Sequence, residues 1–114
     1  MSDAVQIGVI GGGAMAEAII AGLTAQEMTS PPHIHVSEHK AARCDVLTAA
    51  YGVHAQVGAE DFLPRIDVLV LAVKPSAARA AMRETAPLLR SDALVISIVA
   101  GLTMAQIAAE YPGD

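Results

Sequence analysis

VQIGVIGGGAMA, residues 5–16, is the stretch of sequence that decides the fold. Residues 5–10 are rich in β-branched side chains and predict a short strand. Three glycines follow at residues 11–13, and residues 14–27 then carry large apolar side chains four residues apart, the spacing of a helix. A strand, a glycine turn and a helix in direct succession predict the first unit of a parallel α/β sheet.

The rest of the chain continues this alternation of strands and helices. Further strands are predicted at residues 33–37, 53–57, 68–73 and 93–99. Further helices are predicted at residues 40–51, at residues 75–90 and from residue 103 onward, with a weak helical turn at residues 59–64. Because parallel strands are joined by right-handed crossovers, we predict a doubly wound, Rossmann-like α/β sheet of strand order 3-2-1-4-5 in a three-layer αβα arrangement.

Individual residues mark the ends of the predicted helices. Gly52 follows the second helix, at the position where a left-handed backbone conformation is favoured. Pro75 lies just inside the start of the third helix, and Pro87 should end or kink its last turn because proline has no N–H to donate. Thr103 and Gln106 have the spacing of a capping box and predict the start of the last helix.

The composition excludes several classes of protein. The length of 114 residues fits a single domain, and a hydrophobic content of 54% excludes intrinsic disorder. A net charge of −5 with 3% aromatic residues argues against binding to nucleic acid or to an anionic membrane surface. The longest uncharged stretch, residues 93–109, is interrupted by glycine and by hydroxyl and amide side chains, so we expect no membrane span.

Cysteine and histidine usage predicts neither disulfides nor a metal site. Cys44 is the single cysteine, it lies within a predicted helix, and we expect it to be an inert thiol. His33, His35 and His54 have no acid or cysteine at ligand spacing and are expected to be surface or strand-edge histidines. Residues 1–5 lack the basic and apolar regions of a signal peptide, so we expect a cytoplasmic protein.

The glycine turn is the main chemical signal in the sequence. The pattern G-x-G-x-x-[GA] is matched by Gly11, Gly12, Gly13, Ala14, Met15 and Ala16. In this pattern Gly11 permits a tight exit from the strand, and Gly13 allows the backbone to approach a pyrophosphate. The free N–H groups at the helix start would bind the phosphates of a nicotinamide dinucleotide. A purely structural glycine turn in another α/β protein is the alternative.

An acidic residue follows the second predicted strand. Glu38 comes about 20 residues after the glycine turn, where an acid holds the hydroxyls of the adenosine ribose. A carboxylate there repels the 2′-phosphate of NADPH and favours NADH, although His39, Lys40 and Arg43 could bind that phosphate. A solvated loop acid opposing Lys40 is the alternative. Lys74 is either a cation near the cofactor or the charge that ends a buried strand.

Three separated motifs resemble one family of enzymes. They are IGVIGGGAMAEA at residues 7–18, DVLVLAVKP at residues 67–75 and VISIVAGLT at residues 95–103. Together they resemble the N-terminal part of pyrroline-5-carboxylate reductase over essentially the whole chain. The first motif is shared with many dehydrogenases, including 3-hydroxyacid dehydrogenases and deazaflavin-linked NADP reductases, whereas the other two are more characteristic.

The resemblance implies a set of functional residues. It implies an oxidoreductase of proline biosynthesis that reduces a cyclic imine to L-proline with hydride from NADH or NADPH. Pyrophosphate contacts are implied for residues 11–15, and ribose contacts for Ser37, Glu38, His39 and Lys40. The cofactor groove would be lined by Ala72, Val73, Lys74 and Pro75, and the nicotinamide would lie beside Ala100 and Gly101. No catalytic residue is assigned, because the cofactor carries the hydride chemistry.

The sequence also departs from the family. Val99 stands where alanine is usual, Glu38 where serine, threonine or asparagine is more common, and Gly58-Ala59 where members often place an asparagine near the cofactor. Members continue with a helical domain that forms the dimer and holds the substrate. We therefore expect this chain to be the N-terminal NAD(P)-binding domain of a longer reductase, inactive alone and able to use the imine only with that domain.

Other interpretations follow from the same features. An uncharged strand edge at residues 93–99 predicts either self-association into a homo-oligomer or a fragment of a longer reductase. A stand-alone, non-catalytic dinucleotide-binding module is one alternative function. The cofactor domain of a related dehydrogenase is the other.

Overall fold

A computed structural model describes residues 5–11, 13–25, 30–99 and 104–111. Its strands are β1 Ile7–Ile10, β2 Ile34–Ser37, β3 His54–Gln56, β4 Val68–Leu71 and β5 Leu94–Ser97. Its α-helices are α1 Ala14–Ala25, α2 Ala41–Tyr51, α3 Pro75–Thr85 and α4 Met104–Glu110. Short 3₁₀ turns at Pro31–His33 and Leu63–Arg65 precede β2 and β4. Strands and helices alternate as predicted.

All pairs of neighbouring strands are parallel, and their order is β3-β2-β1-β4-β5. β1 is the central strand, and its Val9 lies between Val36 of β2 and Val70 of β4. The chain reaches β3 on one side of β1 and then crosses to β4 on the other side. The predicted strand order 3-2-1-4-5 is therefore confirmed, with the change of direction between β1 and β4.

Alternate side chains of the strands enter two separate apolar clusters. The cluster on the α1 and α2 side is formed by Ile7, Val9, Ala16, Ile20, Ile34, Val36, Leu47, Val53 and Val70. The cluster on the α3 and α4 side is formed by Phe62, Leu63, Ile66, Leu69, Leu71, Ala78, Met82 and Val99. Helices thus pack against both faces of the sheet, and the three-layer arrangement is confirmed.

The predicted ends of several elements need correction. β4 was expected to reach residue 73 but ends at Leu71, because its hydrogen-bonding partner β1 ends at Ile10. α3 ends at Thr85 rather than at residue 90, and Pro87 lies in the turn that follows it. Gly52 has a φ of 75° and caps α2 as predicted. The predicted capping box at Thr103 and the last residues of the first predicted helix lie outside the described residues.

The expected surface or strand-edge position is wrong for His35. It lies on β2 between two other strands, and its side chain is buried between His54 and Phe62, with ring centroids at 5.4 Å and 5.5 Å. Its Nε2 forms a hydrogen bond of 2.9 Å with Oε1 of Gln6. Burial lowers the pKa of His35, since water no longer solvates the charged ring. His54, on edge strand β3, is exposed as predicted.

Candidate functional site

The turns that follow β1, β2 and β4 meet at the carboxyl edge of the sheet. The N–H of Gly11 donates to the carbonyl oxygen of Ser37 at 2.9 Å. The N–H of Ala72 donates to the carbonyl oxygen of Ile10 at 2.9 Å. Three segments that are separated in sequence are thus brought together at the point where the strand order reverses, which is where open α/β sheets bind ligands.

Gly11 is required at its position by the surrounding backbone. Its φ is +112°, a conformation that side chains rarely allow. A β-carbon added there would lie 2.5 Å from the carbonyl oxygen of Ala72. The glycine therefore lets the first turn pack directly against the turn after β4.

Gly13 has a different environment. A β-carbon added there would have no heavy atom of the described chain within 4 Å, apart from its chain neighbours. The next residues, Ala14 and Met15, begin α1 and are exposed, whereas Ala16 is fully buried against the sheet. The turn therefore leaves open space beside the first N–H groups of α1, while its last member holds the helix close to the sheet.

The segment after β2 places one carboxylate beside this turn. Glu38 is buried, with 8% of its surface exposed, and its N–H donates to the carbonyl oxygen of Gln56 at 2.9 Å. Its Oε1 lies 3.5 Å from Nδ1 of His39, which is exposed, as is Lys40. The alternative interpretation of Glu38 as a solvated loop acid is therefore wrong.

Arg43 is held by a neighbouring helix. Its guanidinium donates to Oε1 of Glu17 on α1, and the hydroxyl of Tyr51 donates to the other carboxylate oxygen at 2.7 Å. These hydrogen bonds, from Tyr51 first and Arg43 second, lower the pKa of Glu17. Arg43 thus connects α2 to α1. The sequence gives no local sign of this pair, because its members are 26 residues apart.

Cys44 lies in α2, within a helix as predicted, and it is buried. Its thiol donates to the carbonyl oxygen of Glu38 at 3.4 Å. Burial, followed by the charge of Glu38, raises the pKa of the thiol, so that the reactive thiolate is disfavoured.

The segment after β4 completes the described part of the edge. Ala72 and Val73 are half-buried, whereas Lys74 and Pro75 are exposed. Pro75 is the first residue of α3, as predicted, and the carbonyl of Lys74 accepts the N–H of Ala77 at 2.9 Å. Gly12, Ala100 and Gly101, which the sequence also assigned to the site, lie outside the described residues.

A groove of about 430 Å³ continues from this edge along α3. Ile10 and Ser37 line it at the sheet, Ala59 and Glu60 line it after β3, and Glu84 lines it on α3. Sequence motifs did not single out Glu60 or Glu84. In the sequence, only the departure from the family at Gly58-Ala59 indicated that the loop after β3, which carries Glu60, lines the groove.

These features define a Rossmann-like α/β domain of the dinucleotide-binding class. The chain belongs to the family described as NADP oxidoreductase, coenzyme F420-dependent, which it matches over residues 6–101. Among the residues that the structure describes, no helix combines the length and the apolar character needed to cross a membrane.

Individual relatives confirm the resemblance seen in the sequence. The chain is 38% identical over 108 residues to pyrroline-5-carboxylate reductase of Synechocystis, a match that covers 95% of this chain and 40% of the relative. It is 35% identical to pyrroline-5-carboxylate reductase 2 of Bacillus subtilis, covering 90% of this chain and 37% of the relative. The structure of the Coxiella burnetii reductase superposes with a TM-score of 0.87 at 32% identity, covering 96% of this chain and 40% of that one. The chain thus spans about 40% of the length of these relatives.

Proposed function

We propose that this chain is the NAD(P)H-binding, N-terminal domain of a pyrroline-5-carboxylate reductase, which reduces 1-pyrroline-5-carboxylate to L-proline. Two observations support the proposal. The family match extends over residues 6–101, and the matches to the two reductases cover 90% and 95% of this chain. The chain would form one domain, and the imine would bind only together with the further part that these relatives have.

The packing of Gly11 against Ala72 is the observation that carries the proposal. It joins the glycine turn to the segment after β4. The space beside Gly13 is open as well, so the residues present fit a bound pyrophosphate. Residues 11–15 would hold the pyrophosphate through backbone N–H groups. Residues 37–40 would surround the adenosine ribose, residues 72–75 would line the groove, and Ala100 and Gly101 would lie beside the nicotinamide.

The bound dinucleotide would supply the hydride, so the residues of this chain bind and orient rather than react. Backbone amides of the glycine turn would place the pyrophosphate, and the buried Glu38 would accept hydrogen bonds from the ribose hydroxyls. Because Glu38 would also repel a 2′-phosphate, and Arg43 is already held by Glu17, we propose a preference for NADH. The exposed His39 and Lys40 leave NADPH as the competing cofactor.

Assembly and location belong to the same proposal. β5 is an edge strand of the described sheet, and an open strand edge supports pairing with another chain in a homo-oligomer. Sedimentation of the chain at increasing concentration tests this, and a single monomeric species throughout would contradict it. A buried, unpaired cysteine supports a reducing, cytoplasmic location.

The function is tested by titration of the ¹⁵N-labelled chain with NADH, followed through its amide signals. Signals of residues 11–16 should shift, whereas those of residues 90–92, in the turn before β5, should not. Turnover of 1-pyrroline-5-carboxylate should appear only in a polypeptide that includes the further part of the reductase. Binding without turnover in that polypeptide would favour the non-catalytic module, and turnover of a 3-hydroxyacid instead would favour the related dehydrogenase.

A further inference from the structure

One half of the sheet face that carries α1 has no helix over it among the described residues. β4 and β5 present Val68, Val70, Ile96 and Ile98 on this face, and α1 borders it with Ile19 and Leu23; we call these six residues the apolar strip. They line a groove of about 360 Å³. The register of the two strands adds Leu94, which lies beside Val68.

The β5 side of the apolar strip is exposed to an unusual degree for a parallel sheet, whereas Val70 at its inner side is buried. Leu94 is 58% exposed, Ile96 43% and Ile98 39%, although strands of such sheets are normally covered on both faces. These three residues together expose roughly 250 Å² of largely apolar surface, and the half-buried members of the strip extend this patch toward the few hundred Å² that mark interaction sites. None of the described residues that line the groove is charged.

The residues of α1 indicate that this helix packs against a further element besides the sheet and α2. Glu17 is its one charged residue, and this carboxylate is bound by Arg43 and Tyr51 of α2. The exposed positions Ala18, Gly22 and Ala25 are small and uncharged. A helix that is apolar all round is typical of one that is packed on more than one side.

The dimensions of the apolar strip fit a single helix. Neighbouring strands lie about 4.8 Å apart. The surface from β4 across β5 to the open edge is therefore about two strand spacings wide, or about 10 Å, which is the diameter of a helix. A helix placed there would lie at about 8–10 Å from α1, the usual distance between packed helices. On the opposite face of the sheet this position is already covered by α3 and α4. The hydroxyl of Thr85 on α3 lies 2.6 Å from the hydroxyl of Tyr111, which directly follows α4.

The size of the surface argues for a helix rather than for a second copy of the chain. A stable dimer buries about 800 Å² on each partner, well above what the apolar strip offers. The relatives have further chain to supply a helix, since the match covers only about 40% of their length. We propose that the apolar strip is the docking site of one amphipathic helix from the further part of the reductase polypeptide, with an uncharged face toward β4 and β5. The inference rests on the proposed function, which makes this chain part of a longer reductase.

Chemical labelling tests the inference in a chimera of this chain with the rest of the Synechocystis reductase. Cysteine is introduced in the strip as Ile96→Cys and, as a control, as Val57→Cys, which is 58% exposed and follows β3 at the other side of the sheet. In the chain alone both cysteines should react with a maleimide at similar rates. In the chimera position 96 should react more slowly, on the order of tenfold or more, with position 57 unchanged. Equal reactivity of the two positions in the chimera would overturn the inference.

Failure of the inference and failure of the proposed function give different results in this experiment. NADH binding by the chimera is measured on the same samples, so an unprotected position 96 with intact NADH binding refutes the helix alone. Loss of NADH binding with position 96 protected refutes the cofactor assignment alone. Pairing of two copies through the backbone edge of β5 would leave this face of the sheet open. A labelling rate at position 96 that falls as the concentration of the isolated chain rises would therefore assign the face itself to a second copy and overturn the inference.

A pair of variants in the isolated chain keeps the test decisive if the chimera does not fold. Ile96→Lys should leave the melting temperature nearly unchanged, because the apolar strip is open to water. Val95→Lys, on the opposite face of the same strand, should lower it strongly, because Val95 packs against the cluster under α3. An equally large loss for Ile96→Lys would show that the chain already covers the strip itself, and the inference would fail.

Discussion

Replacement of Gly11 by alanine separates the structural role of the glycine turn from its binding role. The new β-carbon would lie 2.5 Å from the carbonyl oxygen of Ala72 and 3.0 Å from its carbonyl carbon, in a backbone conformation with φ of +112°. A residue held in such a conformation costs of the order of 1–3 kcal/mol, before the displacement of Ala72 is included. We therefore expect Gly11→Ala to lower the free energy of unfolding by about 2–3 kcal/mol or more.

The assay is urea denaturation of both the parent chain and the variant, combined with NADH titration. In a parallel thermal unfolding experiment the variant should melt about 10 °C lower, because 1 kcal/mol corresponds to roughly 4 °C in melting temperature for a domain of this size. NADH binding should weaken as well, because the turn and the segment after β4 separate. Gly13→Ala is the matched control: its β-carbon would meet open space, so stability should change by less than about 1 kcal/mol while NADH binding weakens.

The result that would refute this reasoning is a Gly11→Ala chain as stable as the parent. It would mean that the contact with Ala72 is not close in solution. If Gly13→Ala bound NADH as tightly as the parent, the backbone at Gly13 would not approach the pyrophosphate. The two variants thus test the packing and the binding separately.

Three further predictions concern single side chains. Burial lowers the pKa of His35 below its unfolded value of about 6.5. Between the folded and the unfolded pKa the unfolded chain binds more protons, so the free energy of unfolding should rise with pH across that window. In a pH series of urea midpoints, His35→Gln should remove this rise. Glu38→Ser removes the charge expected to repel a 2′-phosphate, so the ratio of the NADPH and NADH dissociation constants should move toward NADPH by about tenfold or more, and an unchanged ratio would remove Glu38 from the ribose site. Asp67 accepts the N–H of Gln6 at 2.9 Å and a hydrogen bond from Arg90 at 2.8 Å, which lower its pKa. The contribution of Asp67 to the free energy of unfolding is present above about pH 4 and is lost as the pH falls through the lowered pKa. Asp67→Ala should cost about 1 kcal/mol at neutral pH in thermal unfolding, and an unchanged stability would contradict these hydrogen bonds.

The sequence predicted the features that depend on local periodicity and on single backbone constraints. Alternating strand and helix patterns predicted the strand order, because right-handed crossovers leave few arrangements for five parallel strands. Gly52 and Pro75 marked helix ends correctly, since their backbone preferences act within one turn. The position of the glycine turn between β1 and α1 was predicted for the same reason, because the motif is contiguous.

Tertiary structure alone decided the features that join distant segments. Arg43 is held by Glu17, His35 is buried between two aromatic rings, and the carbonyl of Ala72 excludes any side chain at Gly11. None of these contacts has a period or a spacing in the sequence, because each depends on which strands become neighbours. The apolar pattern of β5 predicted a strand but not which of its faces stays open; that depends on which side of the sheet each helix crosses.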